Sequence, residues 1–181
     1  MDPFDVASPF EAAQDLAMGV PTARISPVDV ALAVDADVST LRAAAQVPFD
    51  PSNAWARDVA RECAALADLG DYFAYKLRGA TALAVFQATG ASEWLAAARA
   101  ETSTADDAWQ RLADDTSYFV PFVDRYKTSP VSQWSAQALF LVEDGKSLDA
   151  VASAVAAQPP SFSGTLPVAA TWLHTPRLDL S

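Results

Sequence analysis

From Ala54 to Ala88 the chain runs without a proline, and Gly90 stands just past its end. Proline breaks a helix interior, while glycine just beyond the last turn closes one. The run therefore predicts a single helix several times longer than average. Leu66, Leu69, Phe73, Leu77, Ala80, Leu83 and Ala84 form one stripe, and Tyr72, Tyr75, Ala82 and Phe86 form a second. Apolar over most of its circumference, such a helix belongs at the centre of a bundle. Gly70 and Gly79 lie inside it and are expected to admit close approach of a neighbouring backbone rather than to bend the helix.

Flanking signals assign the remaining elements. Ser8-Pro9, Ser26-Pro27 and Ser129-Pro130 pair a capping hydroxyl with a proline at the first helical position. Glu11 completes a capping box with Ser8, and Gly19 offers a stop, predicting a helix from Pro9 to Met18. Ile25 and Val30 have the spacing of a hydrophobic staple, and the helix they introduce should run to about Gln46, with Val30, Val34, Val38 and Leu41 on one face. After Val47-Pro48-Phe49-Asp50-Pro51, Ser52 or Asn53 can cap the long helix. Thr89-Gly90 and Ser92 then turn it back into an antiparallel partner carrying Trp94, Leu95, Ala98, Trp109 and Leu112, with an interruption near Ser103-Thr104. Helices at about Pro130–Val142 and Leu148–Ala157 should close the bundle.

The expected fold is all-α: an up-and-down bundle of five or six helices around one long central helix, with an irregular C-terminal tail. Residues 1–158 make the bundle. Residues 159–181 read as a tail packed on it or as the opening of a truncated following module. Tyr72, Phe73, Leu77, Leu83, Phe86, Trp94 and Trp109 are the predicted structural core. At 181 residues the chain fits one domain, and its apolar content, 51% overall with 6 glycines, comes mainly from alanine, the best helix former.

The string LGDYFAYKLRGATALAVFQATG, followed by EWLAAA and DDAWQRL, resembles a helical accessory module found near the C-terminal side of large bacterial proteins with glycoside-hydrolase-like or other carbohydrate-active domains. The upstream ISPVDVALAVDADVSTL looks like that module's preceding helix, so the resemblance covers roughly residues 20 to 145. Its motifs are mostly packing residues. The hairpin ATG…EWLAAA is also similar to those of alpha/alpha-toroid glycosidases and of tetratricopeptide-like repeats, but one copy falls short of the three that a solenoid needs. The resemblance implies an accessory role in a carbohydrate-processing protein and carries over no catalytic residue.

Charge narrows the partners. A formal net charge of -11 disfavours phosphate backbones and anionic membrane surfaces, so neither nucleic acid nor membrane is expected. No stretch approaches the ~20 apolar residues of a membrane span, and MDPFDVASPF has neither the basic nor the apolar region of an export signal. Cys63 reads as a small buried apolar group and leaves the compartment open.

Chemistry is sparse. His174 is the only histidine, which removes a histidine-rich metal site; no metal, cofactor or catalytic residue is expected. Asp35/Asp37, Asp106/Asp107, Asp114/Asp115 and Glu143/Asp144 read as solvated faces, since neighbours along a helix do not face each other as paired catalytic carboxylates must. Lys76 and Arg78 lie in apolar surroundings without acidic neighbours on their own helix. Asp106, Asp107, Asp114 and Asp115 are their expected interhelical partners, with Arg78 also a candidate ligand contact. Tyr118, Phe122, Tyr126 and Trp134 gather in a proline-broken segment, where they would plug the core or stack on sugar rings. The leading expectation is a non-catalytic accessory module that packs against sibling domains or presents them to carbohydrate. The alternative is a free-standing interaction protein binding a protein partner or small ligand through a groove or aromatic loop; the third is an enzyme using acidic residues in a cleft.

Overall fold

The computed structural model describes residues 6–20, 24–116 and 139–175. It is an all-α bundle in which the described residues form six helices: α1 (Pro9–Met18), α2 (Pro27–Ala45), α3 (Ala54–Thr89), α4 (Ser92–Asp115), α5 (Leu139–Ala157) and α6 (Ala169–Trp172). Helix α3, 36 residues and so about 54 Å long at 1.5 Å per residue, packs against α1, α2, α4 and α5. Among the described residues the one strand-like pairing is an isolated bridge, Val6 to Ile25. No helix among them is long and apolar enough to cross a membrane.

Local chemistry sets the helix ends. Ser8 N–H donates to Glu11 Oε2 at 2.8 Å and Glu11 N–H donates back to Ser8 Oγ at 3.3 Å, a full capping box. The Ser8 backbone N–H, and then Arg24, hold the Glu11 carboxyl down at about 2. Ser26 and Asp29 repeat the arrangement at α2, with Asp29 N–H donating to Ser26 Oγ at 3.1 Å. Asn53 Oδ1 accepts from Ala56 N–H at 3.1 Å at the start of α3. Gly19 and Gly90 close α1 and α3 with φ of 66° and 73°, conformations that a side chain makes costly.

The two interior glycines of α3 mark close approaches on different sides. A Cβ on Gly70 would lie 2.5 Å from Val38 Cγ2 of α2, and one on Gly79 would lie 3.1 Å from Thr102 Oγ1 of α4. The main core gathers Val28, Ala82, Val85, Phe86, Trp94, Ala98, Leu148, Ala169 and Leu173, with Trp172 edge-on to Trp94 at 5.4 Å. A smaller cluster joins Ala65, Trp109 and Leu112 to Leu69, Tyr72 and Leu141.

Several expectations change. Helix α4 is continuous through Ser103-Thr104, where Thr104 Oγ1 bonds back to Ala100 O and the backbone ladder persists. Where two helices were expected, α5 is unbroken from Leu139, since Leu148, Val151 and Val155 keep its inner face on the core; residues 130–138 lie outside the described set. The segment from 159 to 175 packs on the bundle, with Leu173 fully buried.

Trp94, Phe86 and Trp109 are buried as expected, and Tyr72, Leu77 and Leu83 are half-buried. Phe73 is a correction: it is 53% exposed. The inward surface of α3 instead carries Ala67, Asp68, Ala74, Arg78, Thr81, Ala82 and Val85, so small side chains face the neighbours and the bulky Phe73 faces out.

Candidate functional site

Arg78, expected as a possible ligand contact, is turned inward. At 1% exposure its Nε donates to Leu173 O at 3.1 Å, its two terminal nitrogens pair with the two oxygens of Asp35, and its guanidinium lies 5.6 Å from the Tyr75 ring centre. It thereby ties α2, α3 and the C-terminal segment together. Tyr118, Phe122, Tyr126 and Trp134 lie outside the described residues.

The expected pairing of Lys76 and Arg78 with the aspartates of α4 is also corrected. Lys76 pairs with Asp144 of α5 and Arg78 with Asp35 of α2, because the helix registers bring those acids closer. The carboxylates of α4 find other roles. Asp106 has an oxygen buried without a hydrogen-bond partner, and burial, then the nearby Asp144 charge, push its carboxyl above the usual range. Asp115, the last residue of α4, is pushed up by burial and then by the charge and hydrogen bond of Asp68. Several expected solvated faces therefore take part in interhelical contacts.

Under that end of the bundle lies an ionic cluster. Asp68, 2% exposed, accepts from Arg42 at 2.8 Å and from Arg111 Nε at 3.0 Å. Asp71 receives the same two guanidiniums, Arg111 at 3.2 Å. Two arginines from α2 and α4 thus neutralise two aspartates of α3, so this charge is consumed in joining helices. His174 contacts Glu101 at 3.0 Å. Among the described residues no group of three His, Cys, Asp or Glu is placed to hold a metal ion.

What the interior leaves outside is a row of large apolar side chains on α3: Trp55 at 74% exposure, Val59 at 36%, Leu66 at 53% and Phe73. At 100° per residue, Trp55, Glu62, Leu66 and Phe73 fall within about 20° of one line, with Val59 and Leu69 about 40° to either side. Positions 55, 59, 62, 66, 69 and 73 alternate steps of four and three, the spacing of a seam that meets another helix. Leu69 is partly buried against the Ala65–Trp109–Leu112 cluster, as Leu141 of α5 is, and the Lys76–Asp144 pair borders the same edge.

The start of the seam stands clear of the neighbouring helices. Arg42 beside Asp68, Val38 beside Gly70 and Arg111 beside Asp68 set antiparallel registers. Carried a few residues further, these put Ala45 and Asp115 level with about residue 64 of α3. The first three turns of α3 therefore project about 15 Å beyond both helices, and their side chains are largely exposed. Trp55 and Val59 were not anticipated as functional, although their four-residue spacing ahead of Leu66 and Phe73 was there to be read.

Compared with known proteins, the chain matches no family model, no curated protein and no solved structure.

Proposed function

We propose that this chain is a non-catalytic helical interaction module that docks one helix of a partner protein, or of a sibling domain, along the α3 seam. The exposed row from Trp55 to Phe73 carries the reading. Large apolar side chains at seam spacing on a protruding helix form an unmatched half of a helix pair, and burying them against a partner is favourable. The Asp68–Asp71–Arg42–Arg111 cluster supports it, since it stiffens the α3 root from which the arm projects. The resemblance of the α3–α4 hairpin to accessory modules of carbohydrate-active proteins favours a sibling domain as the docking partner.

A photo-crosslinking amino acid placed at residue 59 or 66, with residue 57 on the opposite side as control, tests this in cells that express the chain natively. The supporting result joins positions 59 and 66 to one defined segment, helical in its own protein, that position 57 does not reach. Equal yields from 57 and 66, or links from 66 only to this chain's own residues, would remove the reading.

A further inference from the structure

We infer that the seam takes a basic amphipathic helix rather than a second copy of this chain, an inference that rests on the docking reading. Around the arm, one charge lies within the apolar row itself. Measured from Trp55, Glu62 falls about 20° away and Asp58 about 60°, both exposed and both bordering the apolar row. Arg57 and Arg61 follow at about 160° and 120°, beyond Asp58 on the same flank, and Arg57 Nε lies 3.9 Å from Asp58, so that pair adds no net charge and Glu62 is the acid left in the row. Further along, Lys76 borders the seam but is held by Asp144, so that pair adds no net charge. The seam is thus a line of Trp, Val, Leu and Phe with one carboxylate, Glu62, set in it.

Glu62 decides what can cover it. A wholly apolar helix laid between Val59 and Leu66 would strip water from that carboxylate and offer nothing in return, which is costly. A lysine or arginine opposite would pair with it at a flanking position, as in coiled-coil helices. Two copies of this chain meeting seam to seam would bring the Glu62 carboxylates of both molecules into one apolar contact, between bodies of net charge -11. Like charges facing across a contact weaken it, so self-pairing is the disfavoured occupant. From Trp55 to Phe73 the seam is about 27 Å long, a length that a partner helix of about five turns would cover.

Fluorescence anisotropy with three labelled synthetic helices separates the possibilities. All carry leucine at the seam positions; the flanking positions are lysine in one, glutamine in the second and glutamate in the third. The lysine peptide is expected to bind the parent protein about tenfold tighter than the glutamate peptide, a difference that Glu62→Lys removes or reverses. Leu66→Glu should abolish binding. If all three peptides bind alike and Leu66→Glu abolishes binding, the docking reading stands and the basic partner is overturned. If the lysine peptide binds Leu66→Glu as well as the parent, the attraction is diffuse and the inference falls. If no peptide binds, the inference falls, and the crosslinking experiment then decides the docking reading by itself. Sedimentation of the parent as a dimer that Leu66→Glu dissolves would give the seam to a second copy instead.

Discussion

Gly70 offers the sharpest test of how the α2–α3 contact is built. An alanine there should gain roughly 1 kcal/mol of helix propensity over glycine. Its Cβ, however, would sit 2.5 Å from Val38 Cγ2, where carbon atoms rest comfortably at about 3.5–4.0 Å. Val38 is 6% exposed and β-branched, so its χ1 is fixed by the helix and the methyl cannot swing aside. Relief requires α2 and α3 to part by about 1 Å, and overpacking of that kind costs about 1–3 kcal/mol. Gly70→Ala should therefore destabilise the protein by about 1 kcal/mol in sum. Val38→Ala alone should cost about 1–2 kcal/mol for the lost methyl groups. In that background the clash is gone, because Val38 Cβ is already 3.9 Å away, and Gly70→Ala should stabilise by about 1 kcal/mol. The two substitutions should thus couple by about 2 kcal/mol in a double-mutant cycle measured by urea unfolding at constant m-value. Zero coupling, with Gly70→Ala equally stabilising in the parent and in the Val38→Ala background, would refute the close approach.

Trp109, 7% exposed with its ring 4.7 Å from that of Tyr72, should cost about 3–5 kcal/mol on truncation to alanine; an unchanged melting transition would take it out of the core. Leu66→Glu and Phe73→Glu should each leave unfolding free energy within about 0.5 kcal/mol of the parent, as exposed substitutions do, and a larger loss would mean that the seam is already covered within the chain. Asp115 holds its proton more tightly folded than unfolded, so its contribution to stability is fullest below the ordinary carboxylate range and is lost as pH rises through the raised native value. Asp115→Asn should accordingly raise Tm near neutral pH, with an advantage that shrinks as pH falls toward about 4; a pH-independent difference would rule out relief of that charge as the cause.

Helix ends were legible because their chemistry is local. Ser8 with Glu11, Ser26 with its following proline, Gly19 and Gly90 each act within a turn, and each stands where the sequence placed it. Partners of charged groups were not, because Arg78 meets Asp35 across 43 positions and only the α2–α3 register selects that acid over the aspartates of α4. Which face of α3 points inward also escaped hydrophobicity, since a helix apolar nearly all round has no contrast to read.

Shape was the better guide. Gly70 and Gly79 are nine positions apart, about 180° around the helix, so two close approaches imply two neighbours on opposite sides, and α2 and α4 are those neighbours. Two rows then remain between them. One carries Arg78, which must find partners inside and does so at Asp35 and Leu173. The other carries Leu66 and Phe73 and continues to Val59 and Trp55 beyond the ends of α2 and α4, where neither helix reaches. Close packing through small residues on two sides leaves the large residues on a third, so the misplaced core residue Phe73 and the docking seam are consequences of one arrangement.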